Sequence, residues 1–252
     1  MDTHSFRNKT KEILLPGFNE KRISGNEFCC VTSNEAQRCI LVFGINPAGD
    51  ENEAMVESDS TYLYYLPDLN IKNRTYSPYY KPIFEVFSRA TDNNAKWAWC
   101  NCSAVEIKEI IERDVSLKQY SEVIQSYYRD YKTKKYSIYI GEFFYYHMTN
   151  QAELLKLIDS SLISKYVIEM LNLHIDEIVN HGHSIDLIYI NNASISHYLC
   201  NAFGLSDYSS NYDYNYNNQK YRIVFGSMLS GMRAMDTFSK ARLIEEIKEH
   251  LC

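Results

Sequence analysis

No apolar run in this chain approaches the roughly 20 residues that a helix needs to cross a bilayer, because the apolar stretches are short and broken by polar residues. A helical membrane protein is excluded on that ground. The opening segment Met1–Lys11 is polar and lacks an apolar core, which argues against a secretory signal. Paired cysteines are missing too. The seven thiols, Cys29, Cys30, Cys39, Cys100, Cys102, Cys200 and Cys252, include no C-x-x-C pair. Zinc and iron–sulfur sites show tighter pairing, so the thiols read as reduced and buried, in a cytoplasmic protein with no metal and no cofactor. Positive charge is short as well, and the net charge is −6. Proteins that hold nucleic acid by neutralising phosphates tend to be basic, so any such partner has to meet a local basic face. No G-x-G-x-x-G, G-x-x-x-x-G-K-[ST] or G-x-S-x-G motif occurs, which disfavours the common nucleotide-binding and hydrolase signatures. Neither a repeat nor a Pro/Gly/Ser linker divides the chain, and a single domain over residues 1–252 is expected.

What is present is the composition of an ordinary globular protein, 45% hydrophobic and 23% charged. RCILVFG (38–44) is an apolar run ending in Gly, as in a buried parallel strand, and FCCVT (28–32) reads as a neighbouring edge strand. A long polar stretch over 45–78 follows. Helical spacing over 79–90 puts Ile83, Phe84, Val86 and Phe87 on one face. KWAWCNC (96–102) reads as a strand, 117–134 as an amphipathic helix, SIYIGEFF (137–144) as a strand and 151–180 as one or two helices. SIDLIYI (184–190) then leads into a helix over 191–204, with Gly204 as its C-terminal cap. The Asn/Tyr/Ser-rich 207–219 reads as an exposed loop before YRIVF (221–225), and a last helix starts at Asp236 as N-cap. Strands alternating with helices predict an α/β fold with a mostly parallel sheet.

In such sheets ligands bind beyond the carboxyl ends of the strands. Two loops qualify. The first, Gly44-Ile45-Asn46-Pro47-Ala48-Gly49-Asp50, has a Gly for a tight turn and a Pro that fixes the backbone beside Asn46. The second, Gly226-Ser227-Met228-Leu229-Ser230-Gly231, offers two hydroxyls and backbone donors. Other polar clusters are weaker. His147 with Glu142 stands at a strand end, with Thr149 as a helix cap, and against a site there a hydrogen-bonded His in a loop suffices. His181 and His183 have metal-like spacing, but two ligands do not make a site, and a helix-ending turn at Gly182 accounts for them. Arg233 and Asp236 read either as a phosphate clamp or as a surface pair.

GINPAGD resembles the first active-site motif of the uracil-DNA glycosylase superfamily, whose mismatch-specific and thymine-DNA branches carry GINPG. Ser227-x-Leu229-Ser230 is similar to the second motif of those branches, NPSGLS, which also follows a late strand. The resemblance implies a three-layer α/β/α sandwich with a mostly parallel central sheet, DNA as the partner, and hydrolysis of the N-glycosidic bond of a flipped uracil or mispaired base. By position it makes Asn46 the residue that orients the attacking water, within Gly44, Ile45 and Pro47. Asn101 reads the base edge, Tyr79 and Tyr80 supply aromatic contacts, Ser227 and Ser230 bind phosphate, and Met228 or Leu229 enters the duplex. Read without the resemblance, Asn101 is a helix cap, the tyrosines are packing residues, and Met228 and Leu229 belong to the core. The motifs also depart from the family. Ala48 displaces the motif glycine to Gly49, and Phe225-Gly226 stand where the family has Asn-Pro or His-Pro. The alternative function is therefore a non-catalytic member of the same fold that binds a nucleotide or a protein partner.

Overall fold

The computed structural model describes residues 8–9, 12–13, 29–31, 38–45, 80–91, 136–146, 148, 150–180, 182–206, 209–230 and 234–251. Its principal elements, in chain order, are β1 (Cys29–Val31), β2 (Arg38–Gly44), α1 (Tyr80–Thr91), β3 (Tyr136–Glu142), α2 (Gln151–Lys156) and α3 (Ser160–Asn180). They continue with β4 (Ser184–Ile190), α4 (Ala193–Ala202), β5 (Asn211–Tyr216), β6 (Gln219–Phe225) and α5 (Thr237–Leu251). The strand expected over 96–102 and the helix expected over 117–134 fall outside the described residues.

The fold is α/β, with six strands in the order β1-β3-β2-β4-β6-β5 in a mostly parallel sheet. β4 and β6 run parallel, with Ile188 opposite Ile223 and Ile190 opposite Phe225, while β5 runs antiparallel to β6. β2 is buried from Cys39 to Gly44, as expected of a strand covered on both faces. Cys39 and Cys200 are buried and stand outside any disulfide.

Packing groups the chain into two compact units. The first comprises Met1–Phe28, Leu41–Asp59 and Ile140–Ser227, and the second Cys29–Ile40, Ser60–Tyr139 and Met228–Cys252. The chain passes between them five times, at 28–29, inside β2, at 59–60, inside β3 and at Ser227–Met228, which is why no linker composition marks a boundary. In the first unit α3 packs on α4 and β4, and in the second α1 packs on α5.

The helix ends follow local chemistry. α3 and α4 both close with a glycine in the left-handed region, Gly182 (φ 82°) and Gly204 (φ 68°). After each, the next residue bonds back into the last turn, His183 N–H to Ile178 O and Leu205 N–H to Cys200 O. Asp236 caps α5, its carboxylate accepting from the Phe238 and Ser239 amides. The cap of α2 is Asn150, whose Oδ1 accepts from Ala152 and Glu153, rather than the expected Thr149.

One expectation is overturned. The segment 207–219 is not all loop, because Asn211–Tyr216 forms the edge strand β5. Its tyrosines alternate with polar residues, the period of a strand. Tyr212 stacks on Phe203 at 4.8 Å and Tyr214 leans on it, tilted, at 5.1 Å. Tyr214 and Tyr216 donate from their hydroxyls to Asn172 and Asp176 of α3. On the opposite side Asp213 pairs with Arg222 at 2.7 Å and Lys220 at 2.6 Å.

Candidate functional site

Four strands bring their carboxyl ends to one edge. Phe143 N–H donates to Gly44 O at 3.2 Å and Phe144 N–H to Ile45 O at 2.8 Å, Asn191 N–H to Phe43 O at 2.7 Å, and Gly226 N–H to Ile190 O at 3.1 Å. Each bond joins the residue just beyond one strand to the end of its neighbour, so the ends of β3, β2, β4 and β6 stand side by side. All these residues belong to the first unit. From β2 the sheet continues to β3 on one side and to the later β4 on the other, which makes β2–β4 a topological switch point, the usual place of a ligand crevice.

Polar side chains line this edge in strand order. Glu142 ends β3, 6% exposed, with its carboxylate laid against Gly44. A Cβ at Gly44 would come within 2.7 Å of Glu142 Oε1, so a larger residue there would push the carboxylate aside. Asn191 and Asn192 follow β4, both buried. Asn192 Oδ1 caps α4 by accepting from Ile195 N–H at 3.1 Å, and its Nδ2 donates to Gln151 Oε1 at 3.3 Å. Beyond β6 the backbone is pinned twice. Ser196 Oγ donates to Gly226 O, and Tyr189 Oη donates to Ser227 O, both at 2.9 Å. A Cβ at Gly226 would meet the Tyr189 ring at 2.5 Å, so this glycine too answers a specific side chain.

Behind Glu142 lies a buried chain of hydrogen bonds. Glu142 N–H donates to Tyr145 Oη at 3.3 Å, Tyr145 Oη and His174 Nε2 are 2.6 Å apart, and His174 Nδ1 lies 2.7 Å from Met170 O. A carbonyl only accepts, so Nδ1 carries the imidazole proton and Nε2 receives the tyrosine hydroxyl. Burial holds the His174 pKa down to about 3, against the opposing pull of the Met170 carbonyl, and the ring is neutral. Phe43 locks the cluster, stacked on Phe143 at 4.3 Å and edge-on to His174 at 4.7 Å.

The structure brings Gly44 and Ile45 to the same edge as Gly226 and Ser227, with β4 between them. Asn46, Pro47, Tyr79 and Asn101 lie outside the described residues, as do His147, His181 and Arg233. Tyr80 opens α1, but its side chain is not described. Met228, Leu229 and Ser230 belong to the second unit. Leu229 is 0% exposed and Ser230 is 2% exposed, with no hydrogen bond to its Oγ among the described residues. Neither side chain is open to a duplex or a phosphate in this structure. Asn191, Asn192, Tyr189 and the Tyr145–His174 pair were not singled out from sequence. The signal that marks the first two is a pair of good capping residues between strand and helix. Among the described residues no three His, Cys, Asp or Glu are grouped to hold a metal ion, and no helix is long and apolar enough to cross a membrane. A separate groove of about 380 Å³ lies beside α3, but its Lys165 already pairs with Glu169 at 3.6 Å, and it collects no comparable set of buried polar groups.

Fold and edge together define an α/β protein that gathers buried polar side chains at a sheet switch point. Comparison with family models, curated proteins and solved structures finds no match to this chain.

Proposed function

We propose that the carboxyl edge of the sheet binds a nucleobase and that the protein is a uracil-DNA glycosylase-like N-glycosidase, built as a three-layer α/β/α sandwich. The observation that carries this reading is that the GINP turn starts at Gly44 on the same edge from which Gly226–Ser227 departs. Asn46 orients water toward C1′ of a flipped nucleotide; the C1′–N bond breaks, the water oxygen bonds to C1′, and the base leaves with the electron pair and takes up the proton that the water gives up. Ser227 contacts the backbone. By the resemblance Asn101 reads the base, Tyr79 and Tyr80 supply aromatic contacts, Ser230 binds phosphate and Met228 or Leu229 enters the duplex. Catalysis is slow in this reading. Phe225-Gly226 supply no side-chain donor to the departing base, and losing one such donor costs on the order of a hundredfold or more.

The burial of Leu229 and Ser230 favours a second reading, a non-catalytic binder of a nucleotide or a protein on the same fold. One experiment separates the two. Incubation with a uracil-containing single strand or a G·U duplex at low salt is expected to yield alkali-cleavable abasic sites, and Asn46→Ala to reduce them at least about tenfold. DNA retention without abasic product supports the binder. Neither product nor retention removes DNA from the account.

A further inference from the structure

The proposed reading sets two serines of the second loop against the DNA backbone, and only one of them is open to it: Ser227 is half-buried, Ser230 buried. Ser227 is held by the peptide unit on each side. Gly226 O, before it, accepts from Ser196 Oγ of α4, and its own carbonyl accepts from Tyr189 Oη of β4, both at 2.9 Å. The Gly226 N–H is bonded in turn to Ile190 O at 3.1 Å. Tyr189 is 0% exposed, and its ring occupies the place that a side chain at Gly226 would take, so it holds the loop from inside the fold. Ser196 is buried too. All of these residues belong to the first unit.

A trans peptide unit points its N–H opposite to its carbonyl, and the described residues include no cis bond. With the Gly226 carbonyl turned to Ser196, the Ser227 N–H is turned away from α4. Among the described residues neither this N–H nor the Ser227 hydroxyl has a hydrogen-bond partner. A fixed backbone thus carries two donors on one half-buried residue, and backbone amides and serine hydroxyls are common contacts of nucleic-acid phosphates. We infer that Tyr189 and Ser196 are the positioning residues of this contact, fixing the backbone of Ser227 so that its N–H is presented to a phosphate oxygen. The inference rests on the DNA reading of the loop and adds to it the residues that aim the serine. Neither of the two hydroxyls touches DNA itself.

The test is equilibrium binding of the full chain, at low salt, to a short uracil-containing single strand and to the same strand with uncharged methylphosphonate linkages. Tyr189→Phe is expected to weaken binding of the phosphate strand about tenfold, the scale of one hydrogen bond to a charged group. The same variant leaves binding of the methylphosphonate strand within about threefold of native. Ser196→Ala acts in the same direction, and Ser196→Thr, which keeps the hydroxyl, restores native binding; this pair decides the matter if Tyr189→Phe fails to fold. A purely structural role would weaken both strands equally, and that result overturns the inference. Phosphate-strand binding unchanged in Tyr189→Phe and Ser196→Ala overturns it as well and leaves the DNA reading standing. Native protein that binds neither strand removes the DNA reading and the inference with it.

Discussion

Glu142, Tyr145 and His174 show how much rests on single atoms in this interior. The Tyr145 hydroxyl receives the Glu142 amide and gives its own proton to His174. Replacing it with hydrogen leaves a buried amide and a buried ring nitrogen without that partner, and an unsatisfied buried group costs about 1–3 kcal/mol. Tyr145→Phe is therefore expected to lower the unfolding free energy by that amount, read as a lower denaturant midpoint with the slope unchanged. An unchanged midpoint would show that the hydroxyl is not what holds this corner of the fold. Gly44 and Gly226 make the same point by absence. Each lacks a side chain where a carboxylate or a phenol ring lies close, and nothing in the sequence around either glycine names the distant partner.

Most elements declare themselves locally. The strands 38–44 and 184–190 are where their apolar runs place them, and the last helix begins beyond its Asp236 cap. β5 is the instructive exception. Asn, Tyr and Ser suggest a solvated loop by composition, yet Tyr212, Tyr214 and Tyr216 alternate and lean on Phe203 and α3. The two-residue turn Asn217–Asn218 joins β5 to β6 with both residues at positive φ, 49° and 59°. Such turns match the twist of a hairpin and accept Asn or Gly. Asn218→Gly is expected to leave thermal stability nearly unchanged, whereas Asn218→Val costs about 1–3 kcal/mol because a branched side chain is strained there. Equal melting temperatures for the two variants would contradict the hairpin.

For the whole molecule the consequence is a pH dependence. His174 is neutral in the fold with a pKa near 3, while in the unfolded chain it titrates at its ordinary 6.5. Between those values the unfolded chain binds the extra proton, so stability is full above 6.5 and is lost as the pH falls toward 3. The slope is at most about 1.4 kcal/mol per pH unit. Asp159 and Asp236, held below the ordinary 3.8 by hydrogen bonds from Ser161 and Ser239, add their effect only at lower pH. Urea midpoints between pH 7.5 and 4.5 thus span the range in which the histidine acts. His174→Gln is expected to flatten that dependence, and a slope equal to that of the native protein would assign it to other groups.

By itself the sequence determined the described strands and helices other than β5, the Gly182, Gly204 and Asp236 helix ends, and the glycines Gly44 and Gly226 at the strand ends, since all of these depend on residues within a few positions of one another. Tertiary structure alone decided the strand order and the division into two units. It also decided that Glu142, Gly44, Asn191 and Ser227 belong to one edge and that Leu229 and Ser230 turn inward. The reason is physical. Periodicity, caps and turns act over one or two turns of chain, whereas a carboxylate against a glycine some hundred residues away, or a tyrosine on a histidine 29 residues later, is set by how packed elements meet.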